Sequence, residues 1–250
     1  MTFFFANWKM YLGQEDSLLL AREIAVDALH DQGLVSGIFP TMLSLNSVAD
    51  MLKESALCVG AQHVAWAPKG AYTGAVSAAL CKEVGSTYAL VGHSERRYIF
   101  GEKDVDIRKR VGACTEVGLT PVLCVGETAK ERDAGLQKKI LEKQLVEGLA
   151  GLSFEKDGLV IAYEPVWAIS GSGDGECCDP LYAEEAHRWI KGCVSDFLTE
   201  SVPVLYGGSV NADNVVSYIS QKDIDGVLVG SAATTKAGYL AIQRAIISTL

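Results

Sequence analysis

Five stretches of this chain combine polar side chains and glycines that suit proton transfer beside a bound anion. They are Asn7-Trp8-Lys9, Gly92-His93-Ser94-Glu95, Glu164-Pro165, Gly207-Gly208-Ser209 and Gly230-Ser231. A carboxylate can act as a base, a histidine as an electrophile and a lysine as the cation beside a developing oxyanion. Glycine turns expose backbone N–H groups that bind phosphate. Together these groups suit removal of a proton next to a carbonyl in a small phosphorylated sugar.

Each stretch also has a more ordinary interpretation. Lys9 could be a solvated lysine at a strand end, and His93 could enter a helix that Ser94 caps. Glu164 could be a turn carboxylate, because Pro165 keeps the residue before it extended. Gly-Gly-Ser and Gly-Ser turns occur in many loops. The chemical interpretation therefore depends on a fold that brings all five stretches together.

Eight short β-branched or aromatic runs predict eight strands. The runs lie near residues 3–6, 36–39, 57–61, 88–91, 120–125, 159–163, 202–206 and 226–229. Helical periodicity between them, as in residues 17–26, 103–117, 130–149 and 183–198, indicates that strands and helices alternate. Such alternation predicts parallel strands. Eight units in 250 residues favour an α/β fold of one closed (β/α)₈ barrel with eight parallel strands, rather than an open doubly wound sheet.

The predicted barrel explains why the five stretches matter. They follow the first, fourth, sixth, seventh and eighth predicted strands, and the active site of such a barrel is built at the carboxyl-terminal ends of its strands. We therefore expect the polar groups to converge on one face. With no linker or low-complexity tract in the chain, residues 1–250 are expected to form a single domain.

Composition excludes several classes of partner. The chain has 22 basic and 31 acidic residues, a net charge of −9, which argues against nucleic acid and anionic membranes. Its 7 cysteines lack a C-x-x-C pair and its 4 histidines lack zinc-ligand spacing, so neither a metal nor a cofactor is predicted. No leader or membrane-spanning stretch is evident, and we expect a cytoplasmic protein with reduced thiols.

Six motifs resemble those of the triosephosphate isomerase family. They are NWKM at 7–10, VGHSERR at 91–97, CVGE at 124–127, AYEPVWAI at 162–169, YGGSV at 206–210 and DGVLVG at 225–230. The resemblance implies a TIM barrel that interconverts dihydroxyacetone phosphate and D-glyceraldehyde 3-phosphate through an enediolate, in glycolysis and gluconeogenesis. It implies that Glu164 moves the proton and His93 polarises the carbonyl. It further implies that Lys9 and Asn7 bind substrate and stabilise the enediolate, with Glu95 in support.

The resemblance also implies a lid after Glu164 that closes over the substrate. The lid residues are Pro165, Val166, Trp167, Ala168, Ile169, Ser170, Gly171, Ser172 and Gly173. The family usually continues Gly-Thr-Gly-Lys after Ala-Ile, whereas residues 170–176 here are longer and precede Cys177-Cys178. Either Gly171 or Ser172 could supply a lid amide to the phosphate. An ordinary flexible loop is the alternative interpretation of this stretch.

The remaining phosphate contacts are expected at Ser209, Gly230 and Ser231. Ser231 stands where the family usually has a second glycine, and a serine still offers its backbone N–H group to an anion. The sequence therefore predicts a phosphate site without an arginine.

A long loop at residues 62–74 suggests a homodimer. It exceeds the usual length of a strand-to-helix loop, and Trp66 and Tyr72 would expose apolar surface in a monomer. The resemblance implies that Thr73 reaches the partner's active site near Asn7 and Glu95. The alternative is a loop folded back on its own barrel.

Two other functions compete with the isomerase interpretation. One is a phosphate-binding barrel lyase or synthase that acts on indole- or ribose-phosphates. The other is a non-catalytic scaffold, since a fold alone does not fix function. Neither predicts Lys9, His93 and Glu164 together at three strand ends.

Overall fold

The computed structural model of this chain describes residues 1–169, 177–195, 198 and 201–250. Its strands are β1 (Thr2–Asn7), β2 (Leu34–Phe39), β3 (Cys58–Ala61), β4 (Tyr88–Val91), β5 (Thr120–Val125), β6 (Val160–Tyr163), β7 (Val204–Tyr206) and β8 (Gly226–Val229). Each strand pairs in parallel with the next, and β1 also pairs with β8, which closes the barrel. The predicted α/β fold, a TIM barrel of eight parallel strands, is confirmed.

Helices connect successive strands around the outside of the barrel. In the described residues they are α1 (Gln14–Asp27), α2 (Met42–Met51), α3 (Ala78–Glu83), α4 (Ser94–Tyr98), α5 (Asp104–Glu116), α6 (Ala129–Asp133), α7 (Gln137–Leu149), α8 (Pro180–Ser195), α9 (Val215–Ile219) and α10 (Lys236–Ile247). The helical periodicity over residues 130–149 belongs to two helices, α6 and α7. They are separated at Gly135, whose φ of +68° lies in the left-handed region that favours glycine.

Alternate side chains of the strands pack into two cores. Those facing the barrel axis are Phe3, Phe5, Phe39, Leu90, Val122, Cys124, Val160, Ala162, Leu205 and Leu228. The others pack against the helices, as Phe4 does on Tyr239 of α10 with ring centroids 4.7 Å apart. Because successive side chains point to opposite faces of a strand, this alternation predicts that Asn7, two residues after Phe5, faces inward. Glu164 stands in the same relation to Ala162, so the core pattern directs both polar groups toward the barrel mouth.

Candidate active site

A pocket of about 430 Å³ lies at the carboxyl-terminal ends of the strands. The predicted site residues that line it are Asn7, Lys9, His93, Glu164, Ser209, Gly230 and Ser231. The five polar stretches of the sequence therefore meet, as the barrel prediction required. Glu95 joins them through Lys9, whose Nζ lies 2.8 Å from a carboxylate oxygen of Glu95.

Glu164 is buried at the end of β6, with 2% of the residue exposed. Its backbone N–H donates to the Val125 carbonyl at 2.7 Å, which extends the pairing of β5 and β6 by one residue. Two glycines make room for it. A Cβ at Gly126 would lie 1.8 Å from the Glu164 carbonyl oxygen, and a Cβ at Gly207 would lie 2.8 Å from its Cγ. The backbone on both sides therefore fixes where this carboxylate can stand.

Both oxygens of the Glu164 carboxylate have partners. One accepts the backbone N–H of Ser94 at 2.9 Å, and the other lies 3.2 Å from Nε2 of His93. Because both oxygens have partners, the carboxylate keeps one orientation in the absence of substrate. It lies at hydrogen-bonding distance from the imidazole of His93. The base and the electrophile predicted from the sequence are therefore neighbours.

His93 caps the short helix α4. Its Nδ1 accepts the backbone N–H of Glu95 at 3.2 Å, so Nδ1 carries no proton in this arrangement. A neutral imidazole that accepts at Nδ1 carries its proton on Nε2, the nitrogen that faces Glu164. The ordinary interpretation of His93 as a helix-entry residue thus holds as well, although His93 rather than Ser94 is the cap. Because His93 caps the helix through Nδ1, its proton is on Nε2, where it can be donated to a carbonyl.

Lys9 has an unusual backbone conformation, with φ at +48°. Its N–H donates to Oδ1 of Asn7 at 3.0 Å, and its carbonyl accepts from the side-chain amide of Gln62 at 2.8 Å. A left-handed conformation at a residue other than glycine costs on the order of 1 kcal/mol or more and persists only where surrounding contacts enforce it. Asn7 and Gln62 supply those contacts, and they direct the ammonium group into the pocket.

Glu95 holds the ammonium group of Lys9 from its outer side. Burial alone would raise the pKa of Glu95, but the hydrogen bond from Lys9 and the positive charge of Lys9, with the adjacent His93 ring, outweigh burial and lower it. Glu95 is 31% exposed, compared with 13% for Lys9. The pair therefore keeps a charged lysine at the mouth of the barrel.

The predicted lid begins with a 3₁₀ turn, Val166–Ala168. The indole N–H of Trp167 and the hydroxyl of Tyr163 both donate to one oxygen of Glu127, at 2.8 and 3.1 Å. Burial raises the pKa of Glu127, while these two hydrogen bonds partly counter that effect. The first residues of the predicted lid are thus anchored to the barrel. Of the predicted lid residues, Ser170, Gly171, Ser172 and Gly173 lie outside the described residues.

The wall where the sequence predicts the phosphate contacts, here called the phosphate-facing wall, is lined largely by glycines, Gly207, Gly208 and Gly230. The N–H and the hydroxyl of Ser209 both donate to the Ala168 carbonyl, at 3.0 and 2.8 Å. A Cβ at Gly230 would lie 3.3 Å from Cε of Lys9, so this glycine adjoins the lysine stem. Ser231 begins a second 3₁₀ turn, Ser231–Ala233, and lines the pocket.

The long loop at residues 62–74 only partly matches the expectation of an exposed apolar patch. Trp66 is 37% exposed, and its ring lies under the guanidinium of Arg110 at 4.9 Å and the ammonium of Lys109 at 5.3 Å, both from α5. Trp66 therefore packs on its own barrel, as the alternative interpretation had it. Tyr72 and Thr73 remain exposed.

Three residues of the site were missed in the sequence. Gln62 fixes the Lys9 carbonyl, Ser94 donates to Glu164, and Glu127 anchors Trp167. Gln62 and Glu127 follow the ends of β3 and β5, so the rule that selected the other strand-end residues could have found them. Ser94 acts through its backbone N–H, a group for which the side chain gives no signal.

Two further results concern metals and membranes. Across the described ranges, no group of three or more His, Cys, Asp or Glu side chains is placed to hold a metal ion. No helix in that same part of the chain is long and apolar enough to span a membrane.

Comparison with known proteins identifies the family. A family model described as triosephosphate isomerase matches residues 2–246. A triosephosphate isomerase of Herpetosiphon aurantiacus is 41% identical over 245 residues, covering 95% of this chain and 96% of the relative. The triosephosphate isomerase of Carboxydothermus hydrogenoformans is 38% identical over 248 residues, covering 97% of both chains. That of Chlamydia muridarum is 36% identical over 249 residues, covering 98% of this chain and 91% of the relative. With this coverage and a pocket lined by residues from five of the six motifs of the resemblance, the chain belongs to the triosephosphate isomerase family, a family of isomerases.

Proposed function

We propose that this chain interconverts dihydroxyacetone phosphate and D-glyceraldehyde 3-phosphate by proton transfer through an enediolate. The observation that carries the proposal is the 3.2 Å approach of Nε2 of His93 to the carboxylate of Glu164, in a pocket that Lys9 also lines. A base, a neutral donor and a cation within reach of one small molecule are what removal of a proton beside a carbonyl requires.

In this proposal Glu164 takes the proton from the carbon next to the carbonyl. The substrate carbonyl replaces Glu164 as the partner of Nε2 of His93, which frees one carboxylate oxygen for the carbon-bound proton. The other oxygen keeps the N–H of Ser94, seen at 2.9 Å, so the base stays oriented while its partner changes. The same carboxylic acid then returns the proton to the neighbouring carbon. The hydroxyl proton passes from one enediolate oxygen to the other through Nε2 of His93, which completes the isomerisation.

His93 and Lys9 stabilise the oxygens of the enediolate. The Nε2–H of a neutral His93 donates to the developing oxyanion, and the ammonium of Lys9 supplies positive charge beside it. Both groups are fixed before the substrate arrives, by the Glu95 N–H and by Asn7 and Gln62 respectively. Preorganised donors of this kind act at the transition state without the cost of reorganisation, and one such donor is worth about 10²–10³-fold in rate.

The phosphate is held on the opposite wall of the pocket. Ser209, Gly230 and Ser231 line that wall. The backbone N–H groups of Gly230 and Ser231 can receive an anion although the chain carries a net charge of −9, and Ser209 joins them when its N–H and hydroxyl release the Ala168 carbonyl. Lys9 is the one basic side chain among the described lining residues. Phosphate recognition therefore depends on neutral donors.

Pro165 to Ile169 form the described start of a lid in this proposal, with Gly171 or Ser172 as the candidate for its contact to the phosphate. The Trp167–Glu127 hydrogen bond supports a fixed hinge at this end. A closed lid keeps water from the enediolate, which limits loss of phosphate from it.

A homodimer belongs to the same proposal. Four large apolar residues beside the site, Met10, Tyr11, Ile99 and Phe100, are each more than half exposed. They lie with Lys9 and Glu95 around a second pocket of about 1250 Å³. A partner's loop with Thr73 at its tip would cover this apolar surface and support Lys9 and Glu95.

We expect Tyr72→Glu to dissociate the dimer, because it places a charge in the partner's apolar pocket. Sedimentation should give monomers, and activity should fall sharply. The control is Val146→Glu on α7, which makes the same kind of change at a residue 47% exposed and outside this surface. A Tyr72→Glu protein that is monomeric and fully active contradicts the role given to the partner's loop.

The proposal also places the chain in the cytoplasm as one domain of 250 residues that serves glycolysis and gluconeogenesis. A single cooperative unfolding transition supports one domain. Reduced cysteines in the purified protein, which carries 7 of them, support a reducing compartment.

The direct test of function is a coupled assay of D-glyceraldehyde 3-phosphate isomerisation. The native chain should turn over the substrate, and Glu164→Gln purified in the same way controls for contaminating host enzyme. Turnover of an indole- or ribose-phosphate instead points to the lyase or synthase alternative. No turnover of any of these substrates by a folded protein points to a scaffold.

A further inference from the structure

Two serines on the phosphate-facing wall differ in what their hydroxyl groups bind. The hydroxyl of Ser209 donates to the Ala168 carbonyl at 2.8 Å, so the start of the lid occupies it. The hydroxyl of Ser231 makes no hydrogen bond to any residue that the structure describes. Ser231 is exposed and lines the same pocket. A donor with no partner therefore stands at the rim of the proposed phosphate site.

The backbone that carries Ser231 is fixed. Its carbonyl accepts the hydroxyl of Thr234 at 2.7 Å and the N–H of Thr234 at 3.2 Å. The carbonyl of Gly230 accepts the N–H of Ala233 at 3.0 Å, which closes the turn from the other side. The Ser231 side chain thus rotates on a rigid base, and only its hydroxyl needs to reorient to meet a ligand.

Charge at this wall makes a neutral donor useful. A Cβ at Gly230 would lie 3.7 Å from Nζ of Lys9, so the lysine adjoins the turn, but its ammonium already pairs with Glu95 at 2.8 Å. A dianion that enters this pocket therefore meets one partly neutralised cation within the described lining. Phosphate oxygens accept hydrogen bonds, and hydrogen bonds to ionised groups are about twice as strong as neutral ones.

We propose that the Ser231 hydroxyl donates a hydrogen bond to the substrate's phosphate, in addition to the contact through its backbone N–H. This makes Ser231 a specificity-determining residue of the phosphate site and gives the serine a function that a glycine there lacks. The inference rests on the proposed function for its substrate, but its chemistry concerns any tetrahedral dianion in the pocket.

The test compares Ser231→Ala with Ser231→Thr. Alanine removes the hydroxyl and keeps the backbone N–H, whereas threonine keeps both. Affinity for inorganic phosphate is measured by calorimetry, and competitive inhibition by phosphate and KM for D-glyceraldehyde 3-phosphate are measured by assay. We expect Ser231→Ala to weaken phosphate binding and raise KM by about three- to tenfold. Ser231→Thr should stay within about twofold of the native chain, as one retained hydrogen bond implies.

Ser220→Ala is the matched control, because Ser220 is an exposed serine at the end of α9 and lies outside the pocket. Its phosphate affinity should equal that of the native chain. Equal affinity in Ser231→Ala and the native chain, or equal losses in the alanine and threonine variants, would overturn the proposal. If the native chain binds phosphate through this hydroxyl but does not isomerise the triose, the proposed function fails and this inference stands.

Discussion

The two walls of the pocket are built by different means. On the proton-transfer wall the chemistry lies in side chains, and Lys9, His93 and Glu164 each have named hydrogen-bond partners. On the phosphate-facing wall the expected donors are mostly backbone groups, at Ser209, Gly230 and Ser231. The first wall therefore constrains residue type, and the second constrains chain conformation.

This difference explains where the sequence can vary. A serine at position 231 can hold its N–H group where a glycine would, because the residue begins an ordinary 3₁₀ turn and does not need the left-handed conformation that favours glycine. No comparable exchange is expected at Glu164, because its buried carboxylate is the proposed base. The packing around it also leaves no space for a Cβ at Gly126 or Gly207.

The largest effect is expected from removing the proposed catalytic base, Glu164, because this changes the proton-transfer wall and leaves the phosphate-facing wall intact. Glu164→Gln keeps the size of the side chain and removes its basicity, so kcat should fall by about 10²–10⁴-fold. KM and the affinity for inorganic phosphate should change little, since the amide does not contact the phosphate-facing wall. Steady-state kinetics and calorimetry measure both. Near-native turnover would remove Glu164 from the mechanism.

A smaller loss of activity is expected from a change at Gly207, where the phosphate-facing wall contacts Glu164. In Gly207→Ala the new Cβ would stand 2.8 Å from Cγ of Glu164 and must displace it. We expect kcat/KM to fall by about 10- to 100-fold, because displacement of a catalytic group by about 1 Å can cost that much. Phosphate affinity should fall less than kcat/KM.

Gly192→Ala on α8 is the control for that variant, because a Cβ there meets nothing within 4 Å. It should raise the free energy of unfolding by about 0.5–1 kcal/mol without loss of activity. If Gly207→Ala and Gly192→Ala have the same kinetics, the glycine does not position the base.

The smallest expected effect concerns pH and the Lys9–Glu95 pair. Because the pKa of Glu95 is lowered in the folded chain, its carboxylate stabilises the fold above the ordinary value of 4.5. That contribution is lost as the pH falls through the folded pKa. Glu95 is 31% exposed, so the contribution should stay below about 1 kcal/mol.

Urea unfolding of the native chain and Glu95→Gln between about pH 6 and pH 3.5 checks this, since the lost contribution is confined to the pH window below the unfolded pKa. The difference between them should shrink on acidification. Glu142→Gln, at an exposed residue of α7, controls for removal of one charge. A difference that grows as the pH falls contradicts the direction of the Glu95 pKa.

Much of the fold was predictable because the pattern is repetitive. Eight apolar runs separated by helical periodicity leave few alternatives to a closed parallel barrel, and the bounds of β4, β5 and β8 match the predicted runs. The break between α6 and α7 was not predicted, since a glycine within a helical pattern can equally be part of one helix.

The proton-transfer wall was predictable from residue types at strand ends. Its supporting contacts were not, because they depend on backbone groups and on angles that the sequence does not show. The N–H of Ser94, the left-handed conformation of Lys9 and the amide of Gln62 are examples. The packing of Trp66 under Arg110 was also hidden, since residues 44 apart in the chain meet only through the fold.

In the proposed reaction Glu164 carries a proton between two carbons of the triose. Conversion of dihydroxyacetone phosphate in D₂O follows this proton, because a proton held on a carboxylic acid exchanges in part with solvent before it returns to carbon, even where a lid limits the access of water. We expect deuterium at C2 of the D-glyceraldehyde 3-phosphate formed, detected by NMR, and loss of both product and deuterium in Glu164→Gln. Product formed at the native rate by Glu164→Gln, or formed by the native chain with no deuterium on carbon, would contradict it.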